Sequence, residues 1–212
     1  MRTDALIEAL AADGAKPRRF LRVFSVALAV AAAAGAGVFL MMLKPRANFL
    51  AVASSSMRYD LKLLVGLILA VTAAFALSRI ARPGASRRGA NLALLLAPAA
   101  LAIGVLAEMA VVPQSEWVAR LVGTNAGFCM VHIPLISLAP LGVILFAMRS
   151  GAADSPTRAG ALAGLAAGGL AASLYAVFCN QDSPLFVAVW YVAGVLATAA
   201  IGAAMGSRLL RW

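Results

Sequence analysis

Six apolar segments, each long enough to cross a lipid bilayer, occupy most of this chain of 212 residues. A helix needs about 20 predominantly apolar residues to span the hydrocarbon core. Hydrophobic residues make up 63% of the sequence and charged residues 12%, and the mean hydropathy is +0.94. The sequence therefore predicts an all-α integral membrane protein, a six-helix transmembrane bundle. Its spans are expected at about Phe20–Leu43, Leu61–Ser78, Asn91–Val112, Ala126–Met148, Arg158–Phe178 and Pro184–Gly206.

The part of the chain outside the spans is small. It consists of an N-terminal tail, residues 1–19, and short loops that are too short to form a separate globular domain. We therefore expect one membrane domain, residues 20–212, preceded by a tail. The first apolar run is too long for a cleaved signal peptide, so we interpret it as a retained helix.

Basic residues flank the spans and indicate orientation, although the net charge of +10 could at first suggest nucleic-acid binding. Cytoplasmic loops of membrane proteins are enriched in Lys and Arg. With the N-terminus in the cytoplasm, the inner regions hold 13 of the 18 basic residues. The sequence thus predicts a multi-pass membrane protein with both termini in the cytoplasm. The first outer loop is an exception to this charge bias, because it carries Lys44, Arg46, Arg58 and Lys62.

The N-terminal tail has the pattern of a short cytoplasmic amphipathic helix. Its apolar residues recur at helical spacing, and two acidic residues lie beside them at positions i and i+4. Such a helix lies on a membrane surface or docks in the groove of a partner protein. The acidic edge disfavours anionic lipid, yet the residues alone leave both interpretations open. The residues that would make the contact are Asp4, Leu6, Ile7, Glu8 and Leu10.

The only two cysteines fall at matching ends of two neighbouring spans. Cys129 begins the fourth span and Cys179 ends the fifth, on the side predicted to be outside. His132 follows Cys129 by three residues and shares its helix face. Glu108 lies near the outer end of the third span, and Asp182 follows Cys179 by three residues. We expect these five side chains to converge on one layer of the membrane.

Thiolate and imidazole groups together suit zinc, cadmium or copper ions. Two thiols at the edge of an oxidising compartment also form disulfides. The residues leave both a metal site and a redox pair open. Four structural interpretations also stay open: buried apolar cysteines, a permanent disulfide, a Glu108 that only reaches the interface, and a His132 that hydrogen-bonds inside the bundle. No obligatory cofactor is predicted.

Enzyme activity is not expected, because the sequence has no catalytic triad, no H-E-x-x-H motif and no phosphate-binding loop. A small metal or solute transporter is the alternative function. It would need charged or polar residues at the middle of the membrane, which the spans lack. A membrane thiol oxidoreductase is a third alternative, and the absence of a C-x-x-C motif weighs against it.

Two further patterns concern helix packing. Gly160, Gly164 and Gly168 repeat every four residues, and such a ridge lets another helix approach closely, within this bundle or in a dimer. Trp190 and Tyr191 lie near the outer end of the sixth span, where aromatic residues commonly occupy the membrane interface.

Three stretches of the chain resemble the NrsF family of membrane anti-sigma factors. They are the opening residues 3–13, the block Gly-Thr-Asn-Ala-Gly-Phe-Cys-Met-Val-His-Ile-Pro at 123–134 with its continuation to 140, and Cys-Asn-Gln-Asp-Ser-Pro-Leu-Phe-Val-Ala-Val-Trp-Tyr at 179–191. The resemblance implies an inner-membrane protein that holds an extracytoplasmic-function sigma factor inactive on the cytoplasmic side. It further implies release on a heavy-metal or oxidative signal, with Cys129 and Cys179 as the sensing pair and no direct contact with nucleic acid.

The chain departs from the family pattern at one position beside the second cysteine. The family has a histidine directly before that cysteine, where this chain has Phe178. The resemblance then implies either weaker metal binding or a larger role for His132. Any metal, such as zinc or cadmium, would bind transiently at the cysteine pair. Its binding, or oxidation of the thiols, is expected to pull the outer ends of the fourth and fifth spans together.

Overall fold

The computed structural model describes residues 17–82, 85–151 and 153–210, which are helical wherever they have regular secondary structure. Six of its helices are long and apolar enough to cross a membrane, which confirms the predicted fold class. We number these spans in chain order: Phe20–Met42, Met57–Ile80, Arg88–Val111, Ala126–Met148, Pro156–Phe178 and Pro184–Leu209. The tail residues Asp4, Leu6, Ile7, Glu8 and Leu10 lie outside the described residues.

Shorter elements complete the chain. The first helix begins at Pro17, ahead of the span it contains. A turn at residues 94–95 divides the third span into the helices Arg88–Ala93 and Leu96–Val111. Two short helices, Phe49–Ala53 and Gln114–Val122, lie in loops. The sixth span consists of a helical turn, Pro184–Phe186, a π-helical turn, Val187–Tyr191, and the helix Val192–Leu209.

The fifth span is the centre of the bundle. It packs against the second, fourth and sixth spans, whereas the first span packs mainly on the fourth and the third mainly on the second. Small residues allow the fifth span to pack closely against its neighbours. A Cβ atom added at Gly164, for example, would lie only 2.6 Å from the Ala199 Cα atom of the sixth span. The glycine ridge therefore packs within the bundle, which is one of the two arrangements that the sequence allowed.

The two ends of the bundle carry different charges. At one end, which we call the thiol end, the cysteines lie among cations and carboxylates. The opposite end, which we call the basic end, has one described acidic residue, Asp154, which pairs with Arg87. The arginines with described side chains at that end are Arg22, Arg79, Arg82, Arg87, Arg88, Arg149, Arg158 and Arg208. These are among the basic residues from which the orientation was predicted, and the orientation stays a prediction.

Candidate functional site

The two cysteines meet at the thiol end of the bundle. Cys129 lies in the first turn of the fourth span, and Cys179 caps the fifth span, its N–H donating to the Tyr175 carbonyl at 2.9 Å. Both are free thiols and both side chains are fully buried. The Cys129 thiol lies within hydrogen-bonding reach of the Cys179 sulfur. Two residues that are 50 positions apart in the sequence thus form one buried thiol pair.

Two tyrosines enclose the thiol pair. The hydroxyl oxygen of Tyr175 lies 3.4 Å from the Cys129 sulfur, and the ring of Tyr191 meets the Tyr175 ring edge-on at 5.6 Å. The buried Tyr191 hydroxyl lies beside the Cys179 sulfur, but it has no well-aligned hydrogen-bond partner among the described residues. The π-helical turn Val187–Tyr191 positions this tyrosine, and such turns are frequent at functional sites. Tyr191 therefore lies inside the bundle rather than at the interface, where the sequence suggested it.

Lys62 holds the backbone around Cys179. Its side chain is 0% exposed, and its ammonium group donates to the carbonyl oxygens of Cys179 at 2.8 Å and Gln181 at 3.3 Å. The same nitrogen lies 2.6 Å from a carboxylate oxygen of Asp182. A buried ammonium is costly unless it is paired and hydrogen-bonded, and these three partners use all three of its donors. Lys62 thus links the second span directly to the loop that carries Cys179.

Asp182 binds a second cation. Arg46, in the loop after the first span, lies 3.3 Å from the other Asp182 oxygen, and its guanidinium group lies 4.6 Å from the centre of the Tyr59 ring. The backbone N–H of Arg46 also donates to the Val177 carbonyl at 3.2 Å. Two segments of the first hairpin, the loop after the first span and the second span, are therefore bound to the loop between the fifth and sixth spans.

Glu108 holds the other side of this loop. Its side chain is 2% exposed and accepts hydrogen bonds from the Ser183 hydroxyl at 2.6 Å and the Leu185 N–H at 3.2 Å. Arg120 and Arg58 balance its charge at 3.4 Å and 3.7 Å. A carboxylate is favourable at this position because the N–H groups at a helix start lack partners within the helix. The third span thereby fixes the beginning of the sixth.

The Cys179 thiol is the more acidic member of the pair. Its pKa is lowered to about 6, chiefly because the Cys129 thiol donates a hydrogen bond to it. Burial opposes this effect, and the positive charge of Lys62 adds to the lowering. A lower thiol pKa raises the fraction of thiolate, which is the form that attacks electrophiles and binds metals.

The five predicted site residues do not share one environment. The thiol pair is together, but Glu108 and Asp182 take part in the two separate ion-pair clusters. His132 stacks on the Phe128 ring at 3.6 Å, with its Nδ1 atom 2.9 Å from the Phe128 carbonyl oxygen. Within the described ranges, no three His, Cys, Asp or Glu side chains are arranged to hold a metal ion. The five side chains therefore lie at one end of the bundle, but among the described residues they do not form a single ligand cluster.

Lys62, Arg46 and the two tyrosines were missed as site residues by the sequence interpretation. Lys62 was counted with the outer loop as an orientation signal because it lay at the edge of the predicted span Leu61–Ser78. The helix begins at Met57, which places Lys62 in its second turn. A signal for it existed, because an ionisable residue within a span is commonly functional. No comparable signal marked Tyr175 among the aromatic residues of the spans.

Comparisons with known proteins give a consistent result. Residues 10–212 match the model of a protein family described as NrsF, negative regulator of sigma F. The chain is similar to the anti-sigma-F factor NrsF of Caulobacter vibrioides, with 33% identity over 223 residues and 100% of both chains covered. It is similarly related to the probable anti-sigma-F factor NrsF of Azospira oryzae, with 30% identity and the same coverage. No solved structure matches the chain.

Proposed function

The chain belongs to the NrsF family of negative regulators of sigma F, and from this premise we propose that it transmits an external signal to a sigma factor through Cys129 and Cys179. Family membership supports an anti-sigma factor, a regulatory protein rather than an enzyme, whose partner is a sigma factor. We propose further that the partner is an extracytoplasmic-function sigma factor, held at the cytoplasmic face of the inner membrane with both termini of the chain inside the cell.

The buried thiol pair is the observation that carries the proposed sensing. Oxidation would replace two S–H bonds by one S–S bond, releasing two protons and passing two electrons to the oxidant. A soft cation would instead displace the protons and bind both sulfurs. Because no third Cys, His, Asp or Glu side chain joins the pair among the described residues, a thiophilic ion that accepts two sulfur ligands fits better than tetrahedral zinc.

The contacts of Lys62 supply a route from the thiols to the basic end. A change at Cys179 alters the carbonyl oxygen that Lys62 binds, and Lys62 belongs to the second span, which ends beside Arg79 and Arg82. Metal binding or oxidation at the thiol pair transmits a signal only if it stabilises one conformation of the bundle more than the other. Moving an equilibrium from 1:99 to 99:1 takes about 5.5 kcal/mol of differential binding, which is within the energy that metal–thiolate bonds provide.

The surface that holds the sigma factor is proposed to include the tail residues Asp4, Leu6, Ile7, Glu8 and Leu10, with the loop at residues 149–157. The tail suits this role because its apolar face could enter a groove of the partner. This contact stays a prediction, since the tail lies outside the described part of the chain.

Replacing both thiols tests the proposed sensing. Membranes that contain the wild-type chain should lose the co-purifying sigma factor when cells are treated with cadmium or with a thiol oxidant. The double variant Cys129→Ser/Cys179→Ser should retain the sigma factor under both treatments. Met130→Ser changes an exposed neighbour of Cys129 and serves as the control that should respond like the wild type. Normal release by the double variant would refute sensing by the pair.

A further inference from the structure

A groove with a volume of about 770 Å³ lies between the first and second spans. Residues between Leu21 and Ala32 form one wall, and residues between Leu67 and Ser78 form the other. The two walls are held apart because the first span packs on the fourth and the second on the fifth. The lining is apolar apart from Arg22 and two serines.

The groove occupies one leaflet of the membrane. Leu21 and Ala32 are 11 residues apart, which at 1.5 Å per residue is about 16 Å along the helix. The hydrocarbon core of a bilayer is about 30 Å thick. The groove therefore runs from the basic end of the bundle to about the middle of the membrane, which is the depth that one acyl chain of a phospholipid reaches.

One guanidinium group lines the groove near the end that faces the headgroups, and two more contact residues of its lining. Arg22 lines the groove, Arg79 lies 5.1 Å from the centre of the groove-lining Phe75 ring, and Arg82 donates to the Ser78 carbonyl at 3.0 Å. The Nε atom of Arg79 is buried without a hydrogen-bond partner among the described residues. None of the ion pairs formed within residues 17–82, 85–151 and 153–210 involves these three arginines.

We propose that this groove is a binding site for an acidic phospholipid, with one acyl chain along the apolar walls and the phosphate group between Arg22 and Arg79. Guanidinium groups bind phosphate oxygens with paired hydrogen bonds, and the buried Arg79 donor would gain a partner. Basic pockets between helices on the cytoplasmic side of a membrane suit acidic headgroups. A zwitterionic lipid offers the same chain without the net negative charge, so it binds less well.

Thermal unfolding of the full chain in neutral detergent tests the site. Adding phosphatidylglycerol should raise the midpoint by on the order of 5 °C, because a ligand that binds only the folded state stabilises it. Phosphatidylcholine with the same acyl chains should have a much smaller effect. The variant Arg22→Gln/Arg79→Gln should lose at least half of the rise. The control variant Arg149→Gln/Arg208→Gln removes the same charge from exposed positions at the same end. It should show the full rise in the midpoint with phosphatidylglycerol.

A second pair of variants tests the acyl chain. Ala32→Trp fills the groove and should abolish the response to phosphatidylglycerol, whereas Ala33→Trp, on the neighbouring exposed position outside the lining, should preserve it. This comparison decides the proposal even if the arginine variant fails to fold. An equal response to both lipids, an equal loss in both arginine variants, or the same rise with inorganic phosphate alone would each overturn it.

Discussion

At the scale of single residues, Lys62 connects the thiol pair to the rest of the bundle. Removing one member of a buried ion pair is strongly destabilising when the remaining charge has no other partner. Asp182 has such a partner in Arg46, so loss of the Lys62 charge should leave the protein folded. The main effects should instead fall on Cys179, whose carbonyl oxygen and thiol both lie near the ammonium group.

The variant Lys62→Met should make the Cys179 thiol less acidic. The pKa of Cys179 is about 6 in the native protein, and an adjacent positive charge typically lowers a thiol pKa by one unit or more, so the titration midpoint should move upward by about one pH unit. The measurement is a pH titration of thiolate absorbance, with Cys179→Ser as the blank. Lys44→Met, which changes an exposed lysine, should leave the midpoint where it is. If the titration midpoint of Lys62→Met equals that of the wild type, Lys62 stabilises the loop but does not affect the acidity of Cys179.

Residues of this site differ in how far the sequence predicts them. The cysteines are visible because only two exist and both fall at span ends. Lys62 is separated from its partners by 117 to 120 positions, and no pattern in a single sequence indicates which spans are neighbours. Glu108 was placed at the correct end of its span, but its partners Ser183 and Leu185 depend on the packing of the third span beside the sixth.

At the scale of elements, the fifth span depends on close contact with the sixth. A Cβ atom at Gly164 would lie 2.6 Å from both the Ala199 Cα atom and the Thr198 carbonyl oxygen. These are backbone atoms, which move only if the helices separate. The glycine at position 164 is therefore needed because the two helix backbones are in contact there, and not because of the helix propensity of glycine.

Substituting Gly164→Ala should destabilise the bundle by about 1–3 kcal/mol, the usual cost of overpacking. The matched substitution Gly142→Ala, in the fourth span, adds a Cβ atom with no neighbour within 4 Å. It should be neutral or stabilise the helix by up to about 1 kcal/mol. Thermal unfolding in detergent measures both, and equal midpoints for the two variants would contradict the close approach.

The boundaries of the elements were predicted with unequal success. The fourth span begins and ends where the hydropathy pattern placed it. The second begins four residues earlier, because Ser56 caps the helix by accepting a hydrogen bond from the Tyr59 N–H at 3.4 Å and Asp60 lies in its first turn. Hydropathy alone misses such a start, since the residues that stabilise the N-terminus of a helix are polar.

At the scale of the whole molecule, the charge difference between the two ends favours the orientation that the signalling proposal requires. Among residues with described side chains, the basic end has eight arginines and one acidic residue, whereas acidic and basic groups pair with one another at the thiol end. Cytoplasmic surfaces carry the excess of positive charge. The thiol pair is then expected to face the outside of the cell.

Single cysteines introduced into the Cys129→Ser/Cys179→Ser background test this orientation. Ser54→Cys lies on an exposed loop at the thiol end and Ser86→Cys on an exposed loop at the basic end. A thiol reagent that does not cross membranes should label the first in intact cells with a permeabilised outer membrane. The second should react only after lysis. The opposite labelling pattern would place the thiols on the sigma-factor side and exclude external sensing.

The ion pairs around the Cys179 loop also bear on the order in which the bundle is assembled. Arg46 and Lys62 leave the ribosome more than a hundred residues before Asp182, and folding starts before synthesis ends. Until the last hairpin inserts, the Lys62 ammonium has neither its carboxylate nor its carbonyl partners, so it stays in the hydrated headgroup layer. The thiol end therefore closes last, and a chain truncated before residue 179 lacks the partners that would draw Lys62 inward.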